Sequence, residues 1–160
     1  MKFKSGIEQS IYILLILDRT PQGYAITADD ISNRLKLSPS YLKKMMKLLV
    51  HEGLILSSTG KKGGFSLAKP LSDINLANIF DAIEGRGAFF HETDLISNLV
   101  GEDSPTTKKC SLSIVMETIE DDWRKIMEEV TLEDLEKKIV LEYDTTKIDT
   151  WIQSVINDGT

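Results

Sequence analysis

The chain has 160 residues, of which 41% are hydrophobic and 28% are charged. This composition predicts a folded domain with a modest appendage and excludes a disordered chain. The longest apolar run, Ile11–Leu17, is too short to cross a bilayer, and no signal peptide is recognisable, so we expect a cytoplasmic protein without a membrane partner. One cysteine excludes a disulfide framework within the chain, and together with two histidines it is too little for an ordinary zinc site.

Charge is divided unevenly along the chain. Residues 1–70 contain 11 Lys/Arg and 5 Asp/Glu, a net charge of +6, whereas residues 71–160 contain 8 Lys/Arg and 20 Asp/Glu, a net charge of −12. This asymmetry fits an ordinary solvated surface. It also fits a basic module that meets a polyanion, followed by an acidic module that does not.

Two short helices are predicted after a first, buried helix at 7–18. Thr27 is a good N-cap for a helix that runs to Leu35, and Ser38 is a good N-cap for the next one, which ends at Gly53. Two short helices joined by three or four residues form a helix-turn-helix, in which the N-terminal residues of the second helix meet the major groove of DNA. Similar patterns occur in proteins that bind no nucleic acid, so this one by itself leaves both functions open. The second helix leaves a polar and largely basic face free, made of Ser40, Tyr41, Lys43, Lys44 and Lys47.

A β-hairpin is predicted directly after these helices. Residues 54–59 and 64–69 have strand-like composition, and the "GKKG" between them supplies the turn. The glycines do not form a phosphate-binding P-loop, because no Gly-Lys-Ser/Thr follows and the segment does not open a helix. The hairpin is therefore predicted to be a wing, with Lys61 and Lys62 at its tip for phosphate or minor-groove contacts. The alternative is a solvated turn with two solubilising lysines.

The remainder of the chain is predicted to be helical apart from one long connection. A helix is expected over 72–85, an irregular connection with at most one short turn over 86–109, and a long amphipathic helix over about 111–130. Its apolar stripe either packs on its own domain or pairs with the same helix of a second subunit. Further helices are expected from the capping residue Thr131 to about Tyr143, and at 147–158 as a docked terminal helix.

Four segments resemble the Rrf-type family of bacterial winged-helix transcriptional regulators, the IscR/NsrR/CymR type. They are "LSPSYLKKMMKLL" (37–49), "EGLILSSTGKKGGFSLAKP" (52–70), "INLANIFDAIEG" (74–85) and "CSLSIVMETIEDDWRKIMEEVTLEDL" (110–135). The resemblance implies a mainly α fold with a small β-hairpin wing. It also implies three regions: a winged helix-turn-helix DNA-binding domain at 1–85, a loop and candidate sensor region at 86–109, and a dimerisation helix with C-terminal helices at 110–160.

The resemblance also implies a homodimer on a palindromic operator in double-stranded DNA, with the long helix crossing to the partner. Several relatives carry an acidic residue and Gln where this chain has Lys43 and Lys44, so the operator should differ from theirs. The expected DNA-binding residues are Thr27, Ser38, Ser40, Tyr41, Lys43, Lys44, Lys47, Thr59, Lys61, Lys62 and Gly63. The expected dimer interface comprises Leu112, Val115, Met116, Ile119, Trp123, Ile126 and Met127.

The candidate sensor region departs from that of the cluster-binding relatives. They use three cysteines, of which this chain retains only the one matching Cys110. One thiolate cannot hold a [2Fe–2S] cluster, so no cofactor and no metal are expected. Cys110 is either a redox switch, through a sulfenic acid or an intersubunit disulfide, or an incidental thiol. Residues 88–90 ("AFF") either line an effector pocket or pack in the core.

Taken together, these features predict a homodimeric, sequence-specific DNA-binding repressor that responds to a protein or small-molecule effector. The alternative is a winged-helix module that binds proteins and not DNA. An enzyme is not expected, because the sequence contains no nucleophile–base pair at informative spacing and no cofactor fingerprint.

Overall fold

The computed structural model describes residues 5–60, 63–93, 95–101 and 109–158. Within them the chain is mainly α-helical, with one two-stranded antiparallel hairpin, as the sequence predicts. The elements in chain order are α1 (Gly6–Asp18), α2 (Ala28–Leu35), α3 (Pro39–His51), β1 (Ile55–Ser58), β2 (Gly64–Leu67), α4 (Leu76–Glu84), α5 (Leu95–Val100), α6 (Ser111–Glu129), α7 (Leu132–Glu142) and α8 (Thr146–Asp158).

The helix-turn-helix is formed by α2 and α3, and side-chain caps fix where each begins. The Thr27 hydroxyl accepts a hydrogen bond from the Asp30 backbone N–H at 3.1 Å, and the Ser38 hydroxyl accepts one from the Tyr41 N–H at 3.2 Å. Each cap satisfies one of the backbone donors left free at a helix start. Between the helices, Lys36 adopts a left-handed conformation (φ 53°), which ends α2 and turns the chain into α3.

The wing is formed by β1 and β2, paired from Ile55 opposite Leu67 to Ser58 opposite Gly64. A further bridge joins Ile26 to Phe65, so the segment before α2 lies against the outer side of β2. Gly64 permits this approach, because a β-carbon there would lie 2.7 Å from the Ile26 carbonyl oxygen. The wing is thus tied to the start of the helix-turn-helix by backbone contacts.

The core lies around α1, which is apolar on nearly all sides and largely enclosed by other elements. α1 packs against α3, α4 and α7, and also against β2. This environment explains why α1 lacks the one-sided pattern of a surface helix. The fully buried side chains around it include Ile13, Leu14, Ile16, Ile31, Leu42, Met46, Leu49, Leu54, Ile74 and Ile79.

The predicted helix over 72–85 begins later than expected. Leu71–Asp73 forms a short 3-10 turn, and α4 starts only after Asn75, whose side chain exchanges hydrogen bonds with Asn78 in a capping box. Ile74 is extended because its carbonyl accepts from the Leu132 N–H at 2.8 Å. A backbone contact with a segment almost sixty residues away therefore overrides the local helical pattern. The predicted connection over 86–109 also contains one short helix, α5.

The C-terminal helices fold back onto the winged-helix unit. Leu132 at the start of α7 is fully buried, and Ile152 of α8 is 1% exposed. Arg19, at the end of α1, donates to Glu136 of α7 at 2.6 Å and to Asp149 of α8 at 2.9 Å. The prediction of a docked terminal helix is therefore confirmed. No helix in the described part of the chain is both long and apolar enough to span a membrane.

Candidate nucleic-acid interface

Helix α3 presents two different faces. Leu42, Met45, Met46 and Leu49 are buried against the core, at positions that repeat along one side of the helix. The opposite side carries Lys43, Lys44 and Lys47, which are all exposed. No acidic residue occupies the first turn of α3, so this end of the helix is electropositive through both its lysines and its backbone N–H groups.

The predicted hydroxyl contacts fall into two groups. Thr27 and Ser38 are exposed but already act as helix caps, so their side chains position α2 and α3. Ser40 is exposed and lies 3.2 Å from Ser38, hydroxyl to hydroxyl. Tyr41 is 41% exposed, and its hydroxyl lies 3.2 Å from where a β-carbon would stand at Gly6. Ser40 is therefore freer to contact a ligand than Tyr41, which lies against α1.

Lys43 has a partner that the sequence did not indicate. Its Nζ lies 3.6 Å from Asp29 Oδ1, in the first turn of α2, and both side chains are well exposed. An exposed pair of this kind is weak and is easily exchanged for a stronger anion. Among the described residues, Lys44 and Lys47 form no ion pair within 4 Å. These two lysines are the more available cations of the recognition face.

The wing places further polar groups next to α3. Ser58 Oγ accepts from the Gly64 N–H at 3.2 Å, and the Gly63 N–H donates to the Gly60 carbonyl at 2.9 Å, so both sides of the turn are held. Thr59 is exposed and Gly63 is half-buried. A β-carbon at Gly63 would lie 2.7 Å from the Ser58 carbonyl oxygen, which restricts this position to glycine. The predicted contacts Lys61 and Lys62 lie outside the described residues.

A groove beside the wing contains residues that the sequence reasoning missed. It lies between the 20–25 turn and the strands, and Tyr24, Ser58, Ser66 and Lys69 are among the groups that line it. Tyr24 is 45% exposed. In the sequence, "TPQGY" predicts a turn and nothing about its neighbours. The bridge between Ile26 and Phe65 brings this turn next to the wing.

The predicted dimer residues divide into two sets along α6. Trp123 packs within its own subunit, with its ring centre 4.6 Å from that of Phe80 and 4.7 Å from that of Phe89. Met116 and Met127 are half-buried. The second set remains open to solvent with exposures between 53% and 63%: Leu112, Val115, Ile119 and Ile126. The helix therefore both packs on its own domain and keeps an apolar stripe free.

The candidate sensor region is held against α6 by hydrogen bonds. Ser113 Oγ donates to Glu92 at 2.6 Å, and the Phe89 N–H donates to Glu120 at 3.0 Å. Ala88 and Phe90 line a pocket of about 130 Å³ beside this helix, so the "AFF" segment borders a cavity as well as the aromatic cluster. Cys110 is half-buried at the residue before α6 and is a free thiol.

A chain of ion pairs connects the end of α3 to α6. Asp81 of α4 is 8% exposed and accepts from Arg124 of α6 at 2.8 Å. Arg86 lies 3.4 Å from Asp81 and also binds Glu52, which follows α3, at 2.5 Å. The hydrogen bond that Arg124 donates to Asp81 raises the pKa of Arg124, so this guanidinium stays charged. These contacts join α6, α4 and the residue that follows α3 through charged side chains.

Comparison with known proteins identifies a family with a matching sequence. The model of the Rrf2 family, described as an iron-dependent transcriptional regulator, matches residues 3–138. YffB of Lactococcus lactis, a candidate HTH-type transcriptional regulator, is 42% identical over 97% of this chain and 99% of its own length. YwgB of Bacillus subtilis, described in the same terms, is 43% identical over 95% of each chain. These matches confirm the resemblance found in the sequence.

Solved structures share the fold at lower identity. CymR, the global cysteine regulator of Bacillus subtilis, superposes with a TM-score of 0.62 at 22% identity, covering 86% of this chain and 98% of CymR. IscR of T. potens gives a TM-score of 0.60 at 18% identity, covering 90% of this chain and 93% of IscR. The fold is thus that of winged-helix regulators.

The iron in the family description does not fit the residues of this chain. An iron–sulfur cluster requires about four protein ligands, whereas the sequence contains one cysteine, Cys110. Two copies of Cys110 in a dimer would supply only two thiolates. Across the described ranges, no group of three or more His, Cys, Asp or Glu side chains is placed to hold a metal ion. This chain therefore lacks the cysteine ligands that an iron–sulfur cluster requires.

Proposed function

Because the chain belongs to the Rrf2 family of transcriptional regulators, we propose that it is a homodimeric repressor that binds a palindromic operator in double-stranded DNA. The observation that carries the proposal is the exposed basic face of α3. This helix lies next to the β-hairpin wing, and its other face is buried in the core. The YffB and YwgB relatives are described as transcriptional regulators and not as enzymes.

Recognition would begin at the N-terminal half of α3. Its exposed side chains project from a rigid helix, and such a helix enters the major groove with its first turns. Lys44, Lys47 and Ser40 are exposed; the two lysines would contact phosphates or guanine, and Ser40 would contact base edges. Lys43 would exchange Asp29 for a DNA anion, which adds a cation to the interface as DNA binds.

Dimerisation would use the exposed stripe of α6. Leu112, Val115, Ile119 and Ile126 follow one another at intervals of three, four and seven residues, the repeat of a coiled-coil seam. These side chains are more than half exposed in the single chain, and burying such a stripe against a second copy would stabilise the pair. Two recognition helices about 34 Å apart would then meet successive major grooves.

The test is fluorescence-anisotropy binding to the chain's own upstream DNA and to a scrambled duplex, over a salt series. We expect a clear preference for the upstream DNA and an affinity that falls steeply with salt. Lys44→Ala/Lys47→Ala should weaken binding to both duplexes and lower the salt slope by about 2. Ser40→Ala should instead change the preference between duplexes.

The matched control is Lys137→Ala/Lys138→Ala, which removes the same two charges from the exposed side of α7. It should leave affinity and salt slope close to those of the wild type. Equal losses from both double variants would mean that the recognition face makes no specific contribution. No binding to either duplex at low salt would favour the protein-interaction alternative.

Three finer features remain predictions. Lys61→Ala/Lys62→Ala in the same assay tests the wing tip. Repression requires a reporter assay, in which loss of the protein should raise expression from the operator-bearing promoter. Redox switching by Cys110 requires that peroxide change the anisotropy titration of the wild type and not that of Cys110→Ser.

A further inference from the structure

A second cavity lies away from the DNA-facing surface, between the helix-turn-helix and the C-terminal helices. It has a volume of about 170 Å³ and is recessed between α1, α2, α7 and α8. Leu15 and Ile16 form its floor and are 7% and 2% exposed. Leu35, Ile139 and Ile148 form its walls and pack against the same core. The recess is therefore apolar at its base and opens to solvent beside charged side chains.

The chemistry of the lining specifies the occupant. The walls are almost entirely carbon, and a dry apolar cavity of about 150 Å³ is large enough to hold benzene. The charged side chains that border the pocket already have partners: Arg19 binds Glu136 at 2.6 Å and Asp149 at 2.9 Å, and Arg34 lies over the ring of Trp151, 5.2 Å from its centre. A charged ligand would have to displace these partners or give up its own hydration. The pocket therefore selects a compact, uncharged and mostly apolar molecule.

The position of the pocket connects it to the recognition helix. Leu35 is the last residue of α2, and Ser38, three residues later, caps α3. On the other side, Arg34 of α2 lies 5.2 Å from the ring centre of Trp151 in α8. A molecule between Leu35 and Ile148 would therefore contact both α2 and α8 and favour the arrangement in which these helices enclose it. Thr145 and Ile148 lie beyond residue 138, where the match to the family model ends.

We propose that this pocket is a binding site for a small, uncharged apolar effector of about benzene size, and that its occupancy changes the affinity for DNA. The binding half of the proposal stands on the cavity alone, whereas the regulatory half rests on the function proposed above. The effector stabilises the arrangement in which Leu35 of α2 and Ile148 of α8 enclose the pocket, and a ligand changes DNA affinity only where such an arrangement differs between the free and DNA-bound states.

Benzene is the probe for the first experiment, with isoleucine methyl groups as the readout. In methyl NMR spectra of the full chain, benzene should shift the signals of Ile16, Ile139 and Ile148 through its ring current. The signals of Ile26 and Ile55, which are buried near the wing, should not move. Unchanged signals at the three pocket residues would overturn the proposal, and this readout requires no variant that could fail to fold.

A filling variant provides the second measurement. Benzene should raise the Tm of the wild type by about 2–4 °C or more, because it binds only the folded state. Ile139→Phe should occupy the cavity and abolish the rise, whereas Val140→Phe, the neighbouring exposed position on α7, should retain it. Ile148→Phe tests the same point from α8 if Ile139→Phe does not fold. A rise that persists in a filled variant would place benzene elsewhere and overturn the site.

The regulatory half is tested by repeating the DNA titration with benzene. We expect the affinity for the upstream duplex to change by about fivefold or more in the wild type and to stay constant in Ile139→Phe. Methyl shifts without any change in DNA affinity would overturn the regulatory half. If the wild type binds no DNA even without benzene, the proposed function fails, while the methyl spectra still decide the site.

Discussion

The winged-helix half of the molecule and its C-terminal helices place their apolar side chains differently. Of the 21 buried apolar residues in the described chain, 19 precede residue 85, and only Leu132 and Ile152 follow it. Helix α6 by contrast exposes four large aliphatic side chains along one stripe. The first half therefore closes its own core, whereas the second half depends on surfaces outside itself: the first half on one side and, in our proposal, a second subunit on the other.

Charge follows the same division. Residues 1–84, the half with the closed core, contain 11 Lys/Arg and 8 Asp/Glu, a net charge of +3, and in our proposal present their lysines to DNA. Residues 85–160, the half with the open apolar stripe, contain 8 Lys/Arg and 17 Asp/Glu, a net charge of −9, and a charge of this sign disfavours contact with DNA. In our proposals, the first half therefore combines stability with DNA recognition, the second half provides the dimer contact, and the effector pocket lies between the two.

The strongest expected effect comes from the closed core. Leu49→Ala removes a fully buried side chain of α3 and should lower the free energy of unfolding by about 2–5 kcal/mol. Ile126→Ala, on the exposed stripe of α6, should lower it by no more than about 0.5 kcal/mol in dilute protein. Urea unfolding followed by circular dichroism measures both. Comparable losses would mean that the two halves do not differ as described.

The next effect concerns the stripe itself. Ile119→Asp introduces a charge into the proposed dimer seam and should weaken self-association by about 100-fold or more, since an unpaired charge would have to be buried. Analytical ultracentrifugation over a range of concentrations measures the association. Thr118→Asp adds the same charge to a neighbouring exposed position outside the stripe and serves as the control. If Ile119→Asp self-associates as strongly as the wild type, the stripe is not the dimer contact.

The ion pairs between the halves should contribute less. Asp81→Ala leaves Arg124 and Arg86 without their nearly buried acceptor and should cost about 1–3 kcal/mol in urea unfolding. Glu133→Ala breaks an exposed pair with Lys137 within α7 and should cost at most about 0.5 kcal/mol. If both variants lower the free energy of unfolding equally, the Asp81 contacts contribute no more to stability than an exposed ion pair does.

A smaller effect is expected at the start of α7. The Thr131 hydroxyl accepts from the Asp134 N–H at 3.2 Å and donates to its carboxylate at 2.7 Å. Thr131→Ala should lower the free energy of unfolding by about 1 kcal/mol through loss of the cap. Thr150→Ala removes a hydroxyl from the interior of α8, where alanine is well tolerated, and should have no comparable effect. Equal losses would exclude capping as the cause.

The smallest effect is one of pH. The hydrogen bond from the Thr131 side chain holds the pKa of Asp134 below its ordinary value. A carboxyl with a lowered folded-state pKa stabilises the protein above its unfolded pKa of about 3.9, and this contribution is lost as the pH falls through the folded pKa. The stability difference between wild type and Thr131→Ala should therefore shrink below about pH 4. A difference that stays constant in urea titrations down to pH 3 would contradict the link to Asp134.

Much of the fold followed from signals only a few residues apart. The caps at Thr27, Ser38 and Thr131 each join a hydroxyl to a backbone N–H three residues later, so the sequence determines them by itself. The hairpin likewise follows from two strand-like runs around a short glycine turn. The face of α3 that remains free was determined in the same way, by the spacing of its apolar residues.

Tertiary structure decided the features that depend on distant partners. The late start of α4 follows from the backbone contact between Ile74 and Leu132, and the pairing of Lys43 follows from the approach of α2. The sequence placed Trp123 and Ile119 in one apolar stripe. In the structure, Trp123 packs against Phe80 and Phe89 of its own domain, whereas Ile119 remains exposed. Periodicity reports which residues are apolar on a helix, whereas the neighbour that covers them is set by contacts far along the chain.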